Sequence, residues 1–246
     1  MAGKHTTIAD ALIEDILSGH YRVGERLPSE RDLAARFAAN RGAVREAMKQ
    51  LEQMGLASIQ PGGARVNAIQ QASLDVVGRL MYRDELPDAE LLNQILTVIS
   101  ALTAIAAEGA LKNGSEQDIE HIRSLVKPLM QADMKPEEHQ AARFALMEAI
   151  MLTSGNLICQ LIARTLFEQF EPSIDPLRPY ARDQLDIETY TQHARRLDAA
   201  LAAHDIPALR ATFEAFSNLN RQSVMQAIEA ARLDQNPSSK RKQATN

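Results

Sequence analysis

The sequence predicts a mainly α-helical protein in two parts: an N-terminal unit of three short helices with a small β-hairpin, then a larger all-α helical bundle. Three observations predict it. Residues 27–66 run through a capped short helix, a turn, a second capped helix and a glycine-punctuated hairpin. After residue 74 apolar residues recur at helical spacing, with few strand signals. The composition, with 6 Phe, 4 Tyr and no Trp among 246 residues and 45% apolar, favours helices packed on helices.

Residues 1–4 read as disordered. Thr6 or Thr7 can cap a first helix, with Ile8, Leu12, Ile13, Ile16 and Leu17 along one side and Gly19 closing it. Tyr21 to Arg26 reads as a loop. Pro28 and Ser29 then open a second helix, Ser29 as its N-cap, and Asp32 sets a negative charge at the positive end of the helix dipole. That helix ends near Phe37.

Asn40 can cap a third helix, in which Val44, Ala47, Met48 and Leu51 share a buried side and which Gly55 ends. On another side Arg41, Arg45 and Lys49 lie four apart and stack as a basic stripe. Gly42 and Ala43 leave room for backbone to approach a partner. Ala57 to Gln60 and Arg65 to Ala68 read as short strands joined through Pro61, Gly62 and Gly63.

A basic stripe on a helix is ordinarily a solvated face. Here it sits on the last helix of a helix, turn, helix and hairpin series, an order that suits a helix laid in a DNA major groove. Arginine can bond guanine O6 and N7 together, and arginine or lysine can neutralise phosphate. Arg65, beside the hairpin, is placed for a phosphate or a minor groove.

LPSERDLAARF, NRGAVREAMKQLEQMGL and PGGARV resemble the winged helix-turn-helix of GntR-type bacterial transcription regulators, and the helical remainder is similar to the FadR subfamily. The resemblance implies that Arg31, Arg41 and Arg45 contact operator DNA, with Asn40 beside them and Gly62 at the wing tip. Gly42 and Ala43 stand where some relatives carry hydroxyl residues. The full expected DNA-reading set is Arg31, Asn40, Arg41, Gly42, Ala43, Arg45, Lys49, Gly62, Gly63 and Arg65.

Four segments are therefore expected: a DNA-binding unit over residues 1–68, a linker and connecting helix over 69–87, an effector-binding and dimerisation unit over 88–234, and a disordered tail over 235–246. Leu74, Val77, Leu80 and Met81 make the connecting stretch helical. In the second unit the pattern gives helices at 88–112, 115–132, 136–153, 156–171, 185–204 and 205–234. Asn113-Gly114-Ser115, Lys135-Pro136, Ser154-Gly155-Asn156 and the run Pro172 to Pro179 separate them. Pro207 falls in the first turn of the last helix, where its missing N–H costs little.

The formal net charge of -5 argues at first against a DNA-binding chain. Its distribution removes the objection. Residues 1–70 hold 9 Lys or Arg against 8 Asp or Glu, leaving 18 of the 27 basic residues against 24 of the 32 acidic ones for the remainder. Cys159, the single cysteine, can form no internal disulfide, and no charged-then-apolar leader opens the chain, so a reducing cytoplasm is expected. The apolar run Ile95 to Ala107 is shorter than the roughly 18 to 20 residues a bilayer crossing needs and reads as a buried helix, with no membrane partner.

Catalytic motifs are missing: there is no phosphate-cradling glycine loop, paired cysteine motif, nucleophile elbow or HExxH. The chain is not expected to be an enzyme or to carry a cofactor. His121, His139, His193 and His204 read as ordinary surface or core histidines. The subfamily resemblance implies a divalent metal held by an aspartate and three histidines. Aligned through Ser154 to Asn156, the aspartate position is Arg143, the histidine four residues on is Met147, His193 falls on a histidine position, and the last is Phe216. One ligand of four remains, so no metal is expected.

Apolar residues occupy that region instead: Ile95, Leu96, Val98, Ile99 and Leu102 with Leu146, Met147, Ile150, Phe213 and Phe216. They either close the core or line a cavity for an apolar ligand. Metal-lacking members of the resembled subfamily bind fatty acyl-CoA. The candidate effector residues are Ile99, Arg143, Met147, His193 and Phe216, with Arg143 facing a ligand carboxylate or phosphate, or pairing with Glu148 or another acid. The expected partners are a palindromic double-stranded operator, a second copy of the chain as a homodimer, and an effector such as an acyl-CoA or an organic acid. The competing reading is a structural DNA-binding protein without a ligand, its helical unit serving only to dimerise.

Overall fold

The computed structural model describes residues 3–81, 86–181 and 184–235. The chain divides into two compact units, Met1–Leu80 and Met81–Asn246. The tail proposed over 235–246 lies, beyond Gln235, outside the described residues.

In the first unit α1 (Lys4–Leu17) packs across α3 (Arg41–Gln53), and α2 (Glu30–Arg36) completes a three-helix core. Ile8, Leu12, Ile13, Leu33, Val44, Leu51 and Leu56 are among its fully buried members. Neither Thr6 nor Thr7 caps α1. The helix starts earlier, on Gly3, whose carbonyl accepts the amides of Thr6 and Thr7 at 2.9 and 3.3 Å, so both threonines lie inside the first turn. The other caps form as expected: Ser29 Oγ accepts from the Asp32 amide at 3.3 Å, and Asn40 Oδ1 accepts from the Ala43 amide at 2.8 Å.

Between α2 and α3 the chain turns through Ala38 at φ 45°, a left-handed conformation that opposes its Cβ. Lys4 Nζ donates to the Ala38 carbonyl and ties the turn to the start of α1. Gly55 ends α3 at φ 70°, and a Cβ there would lie 2.2 Å from the Gln71 carbonyl oxygen, so both conformation and space require glycine.

The hairpin pairs β1 (Ala57–Gln60) with β2 (Gly63–Val66) in antiparallel register, Ala57 opposite Val66 and Gln60 opposite Gly63. The second strand thus begins two residues before the expected Arg65 and stops at Val66 instead of Ala68. The cause is a two-residue loop, Pro61-Gly62, with Gly62 at φ 104°, the arrangement of a type II turn. Past Val66 the Asn67 side chain and amide bond the carbonyls of Gly55 and Leu56, both at 2.9 Å, and turn the chain away.

Residues 24–27 are not a free loop. The Gly24 and Leu27 amides donate to Val66 and Ala64, and the Val66 amide to Glu25, at 2.8 to 3.0 Å, with Arg26 bridging Arg65. They form a third edge of the wing. After it come 3-10 turns at Ile69–Gln71 and Leu74–Val76 and the short α4 (Val77–Met81). Val76 joins the first core, and Arg79 bonds Asp10 of α1 at 2.6 Å, so this stretch packs onto the first unit up to Leu80.

The second unit holds α5 (Ala89–Asn113), α6 (Glu116–Val126), α7 (Pro136–Thr153), α8 (Leu157–Ile174), α9 (Arg178–Ala181), α10 (Ile187–Ala202) and α11 (Ile206–Gln235). Asp88, Ser115, Asn156 and Asp186 cap α5, α6, α8 and α10 through their side chains. α8 runs on through Pro172 to Ile174 and tightens into the 3-10 turn Asp175–Leu177, past the end expected at 171. Its residue Cys159 is buried in the second core. α5 has 25 residues, and an 18-residue stretch within it has a mean hydropathy of 1.6, long and apolar enough to cross a membrane by length and composition. It is instead the central helix, packed by α7, α8 and α11.

Candidate nucleic-acid interface and effector cavity

The N-cap of Asn40 fixes where α3 begins, and its periodicity divides it. Val44, Ala47, Met48 and Leu51 face the core, while Arg41, Arg45 and Lys49 face solvent. Arg41 has no ion-pair partner among the described residues. Arg45 is forked onto Glu30, the first residue of α2: Nε lies 3.1 Å from Oε1 and Nη2 3.0 Å from Oε2. The guanidinium holds the Glu30 carboxyl below its usual range. Lys49 Nζ lies 2.9 Å from Glu46 Oε1. The stripe therefore carries two carboxylates of its own, which spacing along one helix did not reveal for Glu30.

These pairs orient without locking. The Arg45 side chain is 61% exposed, and an ion pair this open to solvent is screened and weak enough for phosphate or guanine to displace. Arg31 is exposed on α2, 3.5 Å from Asp32. Asn40 is exposed with its side-chain oxygen committed to the cap, and Gly42 is exposed at the same helix start; Ala43 is half-buried. At the wing, Gly62 forms the exposed tip. Gly63 sits at φ 124° under the Arg26 side chain, whose Nε would be 2.6 Å from a Cβ there. Arg65 is exposed and spends one donor on the Gly24 carbonyl at 2.9 Å. Arg26 and Gly24, absent from the expected set, thus fix the wing to the chain ahead of α2.

The second unit holds a partly open cavity of about 490 Å³, within the range of small-molecule sites. Four of the five candidate effector residues, Ile99, Arg143, Met147 and Phe216, stand on its wall. His193 does not: its ring packs edge-on against Phe216 at 5.6 Å, off the wall. Of the wider apolar set, Ile95 lies in the buried core and Val98 faces outward, 46% exposed.

Arg143 is half-buried with its guanidinium carbon 5.3 Å from the centre of the Tyr190 ring. It forms no ion pair with Glu148 or any other acid among the described residues. One turn earlier on α7, His139 is 1% exposed, lines the cavity and packs edge-on against Tyr190 at 4.5 Å. Neither ring nitrogen of His139 has a hydrogen-bond partner. Burial, with help from the Arg143 charge, pushes its pKa down to about 4. His139, expected as an ordinary surface or core histidine, lies in the core; its spacing of four from Arg143 is the signal that both share one helix face.

The divalent-metal site of the resembled subfamily does not fit these residues. No group of three or more His, Cys, Asp or Glu stands together among the described residues. Arg143, a cation on the wall, repels another. Elsewhere α5 and α8 present an exposed apolar edge, with Ile105, Leu157, Ile158 and Leu161 all at least 42% exposed.

Residues 4–66 match the family model described as bacterial regulatory proteins, gntR family. Over 214 residues the chain is 30% identical to the uncharacterized HTH-type transcriptional regulator Rv0494 of Mycobacterium tuberculosis, covering 87% of this chain and 84% of that one. It is 26% identical over 153 residues to the fatty acid metabolism regulator protein of Shewanella pealeana, 61% of this chain and 62% of that one. Among solved structures, Lar, which controls expression of the Listeria monocytogenes agr system, superposes with a TM-score of 0.55 at 19% identity, covering 93% of this chain and 98% of its own. A GntR family member from Pseudomonas syringae pv. tomato gives 0.50 at 17% identity, covering 94% and 89%.

Proposed function

Since the chain belongs to the gntR family of bacterial regulatory proteins and is FadR-like in its all-helical second unit, we propose that it reads a palindromic operator as a homodimer and that an apolar small molecule in the α7–α11 cavity tunes that reading. It is a DNA-binding transcription regulator and not an enzyme. The observation that carries the proposal is the division of α3, one side sealed into the core and the other presenting Arg41, Arg45 and Lys49 to solvent.

A single recognition helix spans only a few base pairs, so two related by a twofold axis are needed to read an operator with useful affinity. The exposed apolar edge of α5 and α8 offers a surface for that pairing. For regulation, the effector must bind one arrangement of the dimer better than another, because equal affinity for both shifts nothing. The reducing cytoplasm is where such a dimer meets its DNA.

The test is binding of the purified full-length protein to genomic DNA fragments, followed by fluorescence anisotropy on the fragments retained. Retention at low salt is expected, with operator fragments alone surviving as the salt is raised. Lys49→Ala should weaken all sequences alike and lower the slope of log affinity against log salt by about one unit per bound protomer. Fragments that are not retained would remove α3 from the DNA interface, and an unaltered slope would remove Lys49 from the phosphate contacts.

A further inference from the structure

We infer that the occupant of the cavity is a free carboxylic acid with an apolar body, its carboxylate held jointly by Arg143 and His139 of α7, and that the corresponding CoA thioester is excluded. This rests on the reading of the cavity as an effector site.

Arg143 carries a permanent charge, is half-buried, and has no ion-pair partner among the described residues. A cation withdrawn from water in this way leaves a deficit that an anion removes, and a carboxylate matches the guanidinium fork with two parallel hydrogen bonds. His139 has the same deficit in neutral form. It is 1% exposed with both ring nitrogens unpartnered, and protein interiors satisfy nearly all such groups. Spaced four apart on one helix and both against Tyr190, the two side chains share one face of α7 on the cavity wall. A carboxylate on Arg143 accepts from the guanidinium directly, and from His139 once its ring, whose nitrogens are closed off from the cavity, turns toward it.

The remaining wall decides what is attached to that carboxylate. Much of it is apolar, Leu96, Ile99, Met147, Phe213 and Phe216 among it with Gln140 and Asn220 as polar interruptions, and each methylene buried on the apolar part raises affinity about fourfold. The charges of a CoA headgroup find no match. Besides Arg143 the wall holds Arg178, already bonded to Asp175 at 2.6 Å, and Glu137, which repels any anion, so the one guanidinium left can match a single carboxylate but not the several charges of a CoA headgroup. A thioester also lacks the anionic oxygen that Arg143 requires.

Isothermal titration of the full-length protein with matched octyl, dodecyl and hexadecyl acids, alcohols and CoA thioesters, below their micelle concentrations, tests this. The best acid should bind roughly ten- to a hundredfold tighter than its alcohol, and its thioester should not bind. Arg143→Met should abolish that advantage while the alcohol still binds, which also shows that the variant is folded. His139→Phe, which keeps the ring against Tyr190, should weaken the acid alone. Arg143→Lys keeps the charge without the fork and should retain only part of the preference. Equal affinity for acid and alcohol, or tighter binding of the thioester, overturns the carboxylate assignment and leaves an apolar effector site standing. Failure of all three series to bind overturns the effector reading itself.

Discussion

Lowering the pH from about 7 to about 5 should cost the second unit about 2 kcal/mol through His139 alone. In the folded chain burial and the Arg143 charge bring this imidazole from an ordinary 6.5 to about 4. Between those values the unfolded chain takes up a proton that the folded chain refuses. The stability is fully present above 6.5, declines as the pH falls, and is gone below about 4, where the total reaches about 3 kcal/mol. The carboxylates whose ordinary range is depressed, among them Glu108, Asp118 and Asp186, lose their contributions only at more acid pH. Urea unfolding followed by circular dichroism at the two pH values, for wild type and His139→Phe, isolates the histidine, since every other group is common to both chains. The variant should lose about 2 kcal/mol less than wild type over the interval. Losses that agree within about 0.5 kcal/mol would mean that His139 is hydrated or bonded in the folded protein, and the orphaned imidazole would no longer stand.

Arg45→Ala should weaken operator binding by roughly 1 to 3 kcal/mol and flatten the preference at one base position in a base-by-base scan; unchanged affinity removes Arg45 from the base contacts. Glu30→Gln takes a negative charge from the DNA-facing side and frees the Arg45 guanidinium, so binding to bulk DNA should tighten while discrimination in favour of the operator drops, as competition binding would register. Ala38→Gly relieves a left-handed alanine and should raise the stability of the first unit by about 1 kcal/mol in thermal unfolding; a loss would show that φ 45° costs the chain nothing.

The elements that local chemistry controls were legible in the residues. Ser29, Asn40, Gly55 and the glycines of the wing are start, stop and turn signals that act within four residues, and the structure places them where their chemistry requires. The buried side of α3 follows from spacing alone. What depended on tertiary pairing was hidden. Glu30 is fifteen residues from Arg45 and on another helix, so nothing in the spacing of α3 announces their ion pair. Residues 24–27 have no strand pattern because their hydrogen bonds are drawn by β2, forty residues on. In the cavity the apolar identity of the wall was readable, yet which residues face inward was not: Val98 and Ile99 are neighbours and only Ile99 lines the cavity. His193 and His139 were indistinguishable as letters, and only packing separates the ring beside Phe216 from the one beside Arg143.

The Arg26 side chain crosses the place where Gly63 would carry a Cβ, and amides 24 and 27 bond to β2. Genetic lesions in this short stretch will therefore be misfiled if judged by distance along the chain from the recognition helix. A bulky replacement at Gly63 and a truncation at Arg26 alter one shared joint, and their phenotypes should fall in a single class. Screens for operator-blind alleles would do well to saturate codons 24 to 27 together with those of the hairpin.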